Sequence, residues 1–282
     1  MTWHQAEDVS LRKALTESPG LSPKLHEFTD RIRIALEDPR VIFEGFLFLE
    51  GDQPSAVVIR ERISTDWELC GADSAALDRA APSLHRTLQH FDNGTPLVWF
   101  RSGTPSLMPP CWSLARSVEF HAARPYPITA RTPNDVSIRT YRPQIDDATW
   151  VELNQQAFCD HPEQGRIGHD DFLARTGESW FDRDGLFFAE VTHEALGYCW
   201  TKLHTYIDDR RDGEIYAIGV RPGQGRRGIG RALLEAGLEH LRIRGATEWT
   251  LHVDTDNVAA LELYRSYGFS RVSVDQAFRM CK

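Results

Sequence analysis

Residues 220–231 read VRPGQGRRGIGR, a loop rich in glycine and arginine that joins a predicted β-strand, 214–220, to a predicted helix, 230–244. Apolar residues recur at helical spacing through the second segment. Such a junction exposes unpaired backbone N–H groups at the positive end of the helix, and its glycines let an anion approach them closely. The loop therefore predicts a site for a phosphate or pyrophosphate group.

Two other phosphate-binding loops fit this stretch less well. The Gly-Lys-Ser/Thr ending of a Walker loop is missing. Residues 223–228 do spell GxGxxG, but the dinucleotide-binding fold needs an alternating βαβ order that the neighbouring elements lack. For the loop taken alone, an ordinary basic turn remains the alternative, because glycine often simply marks turns.

The elements around the loop predict a mixed α+β domain from residue 136 onward, in the order βααβββαβαβ. The predicted strands are 136–141, 185–191, 195–204, 214–220, 248–254 and 269–280. The predicted helices are one capped by Asp146, then 171–175, 230–244 and one capped by Asn257. The polar stretch 208–213 should form a long hairpin loop.

The chain has 282 residues, a length that suggests two compact domains. Three prolines, Pro125, Pro127 and Pro133, interrupt any regular element between the two halves. We therefore predict domains at residues 1–124 and 135–282.

The first half has strands, a helical segment at 75–91 and a further strand, an order that echoes the second half. The counterpart of the glycine-rich loop would be residues 68–74, which read ELCGADS. This stretch has one glycine, no arginine and an aspartate, Asp73, where an anion would sit. We therefore expect the first domain to be degenerate, without an anion site.

Composition excludes several classes of function. The formal net charge of -9 and the pI of about 5.7 argue against nonspecific binding to nucleic acid or to an anionic membrane surface. The five cysteines are isolated and form no CxxC pair, so neither a disulfide framework nor a zinc site is expected. The first residues are polar and acidic, unlike a signal peptide, and no apolar run reaches ~20 residues. We expect a monomeric cytoplasmic protein without a bound metal.

A resemblance now adds to this interpretation. The loop and the later run NVAALELYRSYGF, residues 257–269, resemble the acetyl-CoA site of the GNAT N-acetyltransferase superfamily. The sequence departs from the pattern at its first loop position, where Gly225 replaces glutamine or arginine. The resemblance implies acetyl-CoA as co-substrate. It implies contacts to acetyl-CoA from Ile218, Gly219, Val220, Gly225, Arg226, Arg227, Gly228, Ile229, Gly230, Arg231, Asn257, Val258, Ala259, Ala260, Leu261 and Glu262.

Longer runs narrow the resemblance. FCDHPEQG at 158–165, WFDRDGL at 180–186, WTK at 200–202 and GEIY at 213–216 resemble the mycothiol synthase family of tandem GNAT enzymes. The resemblance covers about half of the chain. It implies two tandem GNAT-like domains, the first degenerate, and acetyl transfer to the cysteinyl amine of desacetylmycothiol, a cysteinyl-glucosaminyl-inositol. A GNAT enzyme acting on another small-molecule or peptide amine is the alternative, and a non-catalytic CoA-binding sensor is a third interpretation.

The resemblance also implies roles for single residues. Glu214 is the candidate general base, and Tyr264 is the candidate acid that protonates the departing thiolate. A bulge at Gly219 should splay its strand open for acetyl-CoA. The residues matched to acceptor contacts are Glu163, Lys202, Glu214, His252 and His26. Two of these depart from the family, because His252 replaces an aromatic hydroxyl and His26 replaces a glutamate.

Overall fold

The computed structural model describes residues 2–19, 21, 42–61, 66–71, 73–88, 97–100, 112–129, 131–161, 164–206, 209–225 and 227–279. These residues form two compact units. The first comprises Met1–Glu119, Asp254–Asp256 and Ser273–Lys282, and the second comprises Phe120–Val253 and Asn257–Val272.

The described residues form the following strands and helices. In chain order they are β1 (Trp3–Ala6), α1 (Asp8–Glu17), β2 (Phe43–Glu50), β3 (Gln53–Glu61), β4 (Asp66–Gly71), α2 (Ser74–Leu88), β5 (Leu97–Phe100), β6 (Ser113–Ala123), β7 (Ser137–Thr140), α3 (Asp147–Ala157), α4 (His169–Thr176), β8 (Leu186–Val191), β9 (Glu194–Thr205), β10 (Arg211–Val220), α5 (Ile229–Ile243), β11 (Glu248–Asp254), α6 (Val258–Arg265) and β12 (Ser270–Arg279).

The first unit is a sheet in the order β1-β2-β3-β4-β5-β12. Strands β4 and β5 run parallel, whereas β5 pairs antiparallel with the late strand β12, Gln276–Arg279 opposite Leu97–Phe100. Apolar residues of α2, including Leu77 and Leu84, pack with Trp67 of β4. This unit therefore builds its core from residues at both ends of the chain.

The second unit contains a sheet ordered β11-β10-β9-β8-β7, in which β10 lies between β11 and β9. Strand β10 is parallel to β11 and antiparallel to β9. Leucines of α5 share one core with Trp249 and Leu251, while Trp150 of α3 and Phe172 of α4 share another with Trp200. Helices therefore cover both faces of this sheet.

Strand β10 directs alternate side chains to the two faces. A Cβ added at Gly213 would lie 2.9 Å from the Cβ of Ala246 and 3.0 Å from that of Leu241, so this position faces α5. Glu214 and Tyr216 consequently lie on the opposite face. The hairpin connection is shorter than predicted, because β10 already begins at Arg211, where it pairs with the end of β9.

The predicted bulge at Gly219 is wrong in position. Gly219 pairs in register with Tyr198, and the register shifts instead between Ile215 and Ala217, so Tyr216 is the extra residue. Glycine is needed at 219 for another reason. A Cβ there would lie 2.8 Å from the Cβ of Ala157 and 3.1 Å from the ring of Tyr198. The close approach of α3, rather than a bulge, excludes a side chain.

The two predicted helix caps have different outcomes. The Oδ1 of Asn257 accepts a hydrogen bond from the N–H of Ala260 at 3.1 Å, which confirms that cap. Asp146 also lies at the predicted N-cap position, but its side chain makes no capping hydrogen bond. Its buried carboxylate instead accepts hydrogen bonds from Arg139 at 2.7 and 2.9 Å, and from Arg142. Two nearby arginines compete for the carboxylate more strongly than neutral amides do.

This carboxylate leads to a stability prediction. Burial alone raises the pKa of Asp146, but hydrogen bonds from Arg142 and Arg139 outweigh burial and lower it. A carboxyl with a lowered pKa stabilises the fold at neutral pH, and that contribution is lost as the pH falls through the folded value. Asp146→Ala should therefore reduce the free energy of unfolding at pH 7 by about 3 kcal/mol or more. Urea denaturation at pH 7 and at pH 3 measures this, and the difference between variant and wild type should shrink at pH 3.

The exposed Asp160 provides the matched control. Asp160→Ala should change the free energy of unfolding by about 0.5 kcal/mol or less. Equal losses in the two variants would contradict the structural role of Asp146.

Candidate active site

The glycine-rich loop enters α5 through a left-handed residue, Gly228, with φ 78°. Its carbonyl accepts the hydrogen bond of Ala232 at 2.9 Å, so the helix starts directly after it. The first N–H groups of a helix have no partner within the helix. A Cβ added at Gly225 would meet no heavy atom within 4 Å, so packing alone does not require glycine there. The arrangement fits an anion site at Gly225 and residues 228–230, called the cradle below, in which backbone N–H groups contact the anion directly.

The arginines around the loop make contacts within the protein. Arg226 lies outside the described residues. The described contacts are Arg221 with Glu194, Arg227 with Asp135 and Arg231 with the hydroxyl of Tyr267 at 3.1 Å. Because these guanidinium groups already contact protein partners, backbone N–H groups are the main hydrogen-bond donors that the loop provides for an anion.

Adding one methyl group to this loop should weaken ligand binding while leaving the stability of the fold unchanged. Gly225→Ala places a Cβ in the open cradle, so we expect the Kd for acetyl-CoA to rise about tenfold, equal to about 1.4 kcal/mol. The melting temperature should hardly change, because the new atom meets nothing within 4 Å. Isothermal titration and thermal denaturation measure the two effects.

Gly51 is the matched control, because it has φ 64° in the turn between β2 and β3 and also has open space around it. Gly51→Ala should cost about 1–2 kcal/mol of stability through its left-handed backbone and leave acetyl-CoA binding unchanged. Wild-type affinity in Gly225→Ala would contradict the cradle.

Strands β10 and β11 separate next to this loop. Both lie wholly within the described residues, and they pair only from Asp212 to Ile215 against Glu248 to Leu251. Beyond that point β10 continues to Val220 and β11 to Asp254, each without the other as partner. The backbone of Ile218, Gly219 and Val220 therefore has an edge free of β11, beside the start of α5.

Helix α6 follows β11 on the other flank of this gap. Its first residues are exposed: Asn257, Val258 and Ala259. Two later residues, Leu261 and Tyr264, are buried in the core shared with α5. Helix α6 therefore presents its N-terminal end to solvent and turns Tyr264 inward.

The Tyr264 side chain is 5% exposed, and its ring lies 6.0 Å from that of Phe269. Its hydroxyl makes no hydrogen bond to any residue in the described part of the chain. Burial raises the pKa of this hydroxyl above its usual value, and the nearby Cys199 adds to the effect. Tyr264 consequently keeps its proton at neutral pH, and its hydroxyl can donate a hydrogen bond to a ligand.

Glu214 lies on the face of β10 away from α5, next to the point where β10 and β11 separate. Its Oε2 is 2.7 Å from Nε2 of His204, and its Oε1 is 3.5 Å from Nδ1 of His252. Burial alone raises the pKa of Glu214, but hydrogen bonds from these two histidines outweigh burial and hold the pKa well below its usual range. Glu214 is therefore an ionised carboxylate within a largely buried site.

Lys202 lies directly opposite Glu214 in the pairing of β9 with β10. Its Nζ lies 4.5 Å from the ring centroid of Trp180 and 5.6 Å from that of Tyr216. Cation–π contacts of this kind hold a desolvated ammonium in place. Two other residues matched to acceptor contacts, Glu163 and His26, lie outside the described residues.

Three residues of this face were missed from the sequence: His204, Trp180 and Tyr216. A signal was available for His204, because it follows Lys202 by two residues and alternate residues of a strand share a face. No sequence signal places Trp180 over Lys202, since it lies between α4 and β8, outside any regular element.

A cavity opens farther along the same face of β10, beside Asp212. Its lining residues are Arg124, Pro125, Arg210, Asp212, Thr247 and Glu248. Asp212 is buried, and its Oδ1 has no hydrogen-bond partner among the described residues. Two residues along a strand span about 6.8 Å, so the cavity lies close to Glu214. Guanidinium donors and carboxylate acceptors together suit a ligand rich in hydroxyl groups.

The described residues include no group of three His, Cys, Asp or Glu side chains arranged to hold a metal ion. No helix among them has both the length and the apolar character needed to cross a membrane.

The second half of the chain is similar to known acetyltransferases. The Acetyltransferase (GNAT) family model matches residues 150–269. The mycothiol acetyltransferase of Thermobispora bispora is 45% identical over 149 residues, 52% of this chain and 50% of that protein. That of Kocuria rhizophila is 43% identical over 161 residues, 56% of this chain and 53% of that protein. The aligned part of the chain thus spans about half the length of these curated relatives.

Solved structures extend the likeness to nearly the whole chain. A GCN5-related N-acetyltransferase from Sphaerobacter thermophilus superposes with a TM-score of 0.69 at 17% identity, covering 98% of this chain and 95% of that one. A tandem GNAT protein from the clavulanic acid biosynthesis pathway gives a TM-score of 0.62 at 12% identity, covering 98% of each chain. The chain therefore has the α+β fold of tandem GNAT proteins, and its residues 150–269 match the acetyltransferase (GNAT) family model.

Proposed function

We propose that this chain transfers the acetyl group of acetyl-CoA to the cysteinyl amine of desacetylmycothiol. One observation carries the proposal: an ionised, largely buried Glu214 lies where β10 and β11 separate, in the same unit as a protonated Tyr264 whose hydroxyl has no hydrogen-bond partner among the described residues. A site with one carboxylate and one phenol matches the two proton transfers of aminolysis of a thioester. The curated relatives matched over half their length are mycothiol acetyltransferases, which supports this acceptor.

The reaction removes two protons from the acceptor ammonium, gives one proton to the departing sulfur and moves one acyl group. Glu214 takes a proton from the acceptor ammonium, directly or through one water molecule, and the free amine attacks the thioester carbonyl. Backbone N–H groups of Ile218, Gly219 and Val220 stabilise the negative charge that develops on the carbonyl oxygen. Tyr264 donates its hydroxyl proton towards the sulfur as the carbon–sulfur bond breaks. The nitrogen loses its second proton to water as the intermediate collapses. The products are an amide and a free thiol, and proton exchange with water restores both side chains.

The cradle is proposed to hold the pyrophosphate of acetyl-CoA. The helix N-terminus and the open space at Gly225 fit such a group, and a Cβ at Gly230 would already lie 3.6 Å from Val220. Residues 257–262 of α6 are proposed to lie along the other flank, where Asn257, Val258 and Ala259 are exposed.

The acceptor is proposed to lie on the face of β10 that carries Glu214. A sugar linked to the reacting amine through one amide lies about 4 Å from it, given the span of one peptide unit. The cavity beside Asp212 is within reach of such a sugar. Lys202, His252, Glu163 and His26 remain the proposed acceptor contacts.

Mass spectrometry tests the proposal most directly. The full chain is incubated with acetyl-CoA and cysteinyl-glucosaminyl-inositol, and acetylated product is detected by its mass. A thiol-reactive dye is unsuitable, because the acceptor carries its own thiol. Turnover of other amines without turnover of this acceptor would favour a GNAT enzyme of different specificity. Binding of acetyl-CoA without turnover of any amine would favour the sensor.

The first unit is proposed to bind no acetyl-CoA. Asp73, at the predicted anion position, accepts a hydrogen bond from the N–H of Ala76 at 2.7 Å, so a carboxylate already occupies the start of α2. Isothermal titration of the full chain should give one acetyl-CoA per chain. Two molecules per chain would contradict the proposal.

The chain is also proposed to be a cytoplasmic monomer. Among the described residues, Cys70, Cys159 and Cys199 form no disulfide, as expected in a reducing compartment. Light scattering of the purified protein should give a mass close to 32.1 kDa.

A further inference from the structure

The carboxylate of Glu214 is held on both oxygens by imidazoles from the two neighbouring strands. His204 of β9 contacts Oε2 at 2.7 Å, and His252 of β11 contacts Oε1 at 3.5 Å. Neither histidine is the direct pairing partner of Glu214, so each reaches it diagonally across the sheet. A carboxylate fixed from two sides has little freedom to rotate.

The two imidazoles differ in their surroundings. The His204 side chain is 18% exposed, whereas that of His252 is 51% exposed and its ring lies 5.0 Å from the ring of Phe120. His204 therefore makes the shorter contact and is the more buried of the two. His252 makes the longer contact at the solvent side, on the oxygen that is left for a ligand.

Three further ionisable groups of these strands lie in register with this set, and Phe120 of β6, which packs on His252, is flanked in sequence by the buried Glu119 and His121. Lys202 of β9 is opposite Glu214, Asp212 of β10 is opposite His204, and Glu248 of β11 is opposite Asp212. Lys202 rests on the rings of Trp180 and Tyr216. Of the groups in contact with Glu214, the half-exposed His252 is the most accessible to solvent.

We propose that His204 is a positioning residue that fixes Glu214, and that His252 makes binding of the amine acceptor dependent on pH. The inference rests on the proposed acetyl transfer to an amine. Histidine changes its charge between about pH 5 and 8. When protonated, His252 pairs with Oε1 and repels the ammonium of the acceptor. When neutral, it leaves Oε1 to the acceptor.

The test compares kcat and the KM for cysteinyl-glucosaminyl-inositol between pH 5.5 and 7.5 in three variants and the wild type. The wild-type KM should rise about tenfold as the pH falls across this range. In His252→Tyr, which keeps an aromatic ring on Phe120 but stays uncharged, the KM should change less than twofold. In His204→Gln, kcat should fall about tenfold at every pH, while the KM keeps its pH dependence.

His240→Gln is the control. His240 contacts another carboxylate of the second unit, that of Asp182, at 3.1 Å, and its side chain is 15% exposed. This variant should show the wild-type pH dependence and the wild-type kcat. Acetyl-CoA affinity, measured by calorimetry, should be equal in all four proteins and so reports that each one is folded.

Two outcomes would overturn the inference. An equal pH dependence of the KM in wild type and His252→Tyr would remove the role of His252. A His204→Gln variant with wild-type kcat would remove the role of His204, even if it melts at a lower temperature. Failure of the proposed function looks different, because no acetylated product then forms at any pH. In that case calorimetric binding of the same acceptor across the pH series decides the inference.

Discussion

Glu214→Gln is expected to lower kcat by about 10²-fold or more, the usual loss when a general base is removed. Glutamine keeps the size of the side chain and still accepts a hydrogen bond from His204, but its amide cannot take a proton from the amine. The KM for acetyl-CoA should remain close to the wild-type value, since Glu214 lies on the acceptor side of β10. Mass-spectrometric rates at saturating acetyl-CoA measure the effect.

Glu239→Gln serves as the control for this variant. Glu239 is a half-buried carboxylate of α5 that pairs with Arg242 at 2.7 Å. Its pKa is lowered by that arginine, so it too is ionised at neutral pH. Its substitution should leave kcat unchanged. Wild-type turnover in Glu214→Gln would refute the assignment of the base.

The lowered pKa of Glu214 has a consequence for the pH profile. Because the folded pKa lies well below the ordinary value, the carboxylate stays ionised throughout the neutral and mildly acidic range. A fall in activity near pH 6 would therefore come from another group, and Glu214 itself would be protonated only at much lower pH.

Tyr264→Phe is the second variant with a large expected effect, a fall in kcat of about 10²-fold through loss of the acid. The substitution removes only an oxygen that has no partner among the described residues, so the packing against Phe269 is retained. The free energy of unfolding should therefore change by less than about 1 kcal/mol. Rates at pH 7 and urea denaturation of the same preparation check both statements.

Tyr267→Phe is the control for Tyr264→Phe and should have the opposite effect: lower stability with unchanged kcat. The Tyr267 hydroxyl donates a hydrogen bond to buried Glu235 and accepts one from Arg231. Its loss leaves Glu235 with one partner fewer and should cost about 1–3 kcal/mol of stability, with kcat unchanged. A large loss of kcat in Tyr267→Phe, with none in Tyr264→Phe, would transfer the acid role to Tyr267.

Local signals predicted much of the second half of the chain. The helix after the glycine-rich loop was predicted at 230–244 and is Ile229–Ile243, and the last strand was predicted at 269–280 and is Ser270–Arg279. Both follow from apolar periodicity and from glycine at an element end, which act over a few residues. The fold class was also correct, as the likeness to tandem GNAT structures confirms.

Features that depend on contacts between strands were not predictable in this way. The bulge at Tyr216 follows from the pairing of β10 with β9, and nothing in residues 214–220 favours 216 over 219. Asp146 precedes a helix as a cap would, but its arginine partners were not recognised from the sequence. The contact of His204 with Glu214 needs a diagonal register that only the assembled sheet defines. The domain limits at 1–124 and 135–282 and the roles of the site residues remain predictions.

The pairing of β12 with β5 affects how this chain folds during synthesis. Residues 97–100 leave the ribosome about 180 residues before their partners at 276–279. At about 5–20 residues per second, that interval lasts roughly 10–35 s. Throughout it, β5 has an unpaired edge, which is a template for wrong pairing with other chains. We therefore expect the first unit to complete its fold after the second has been made.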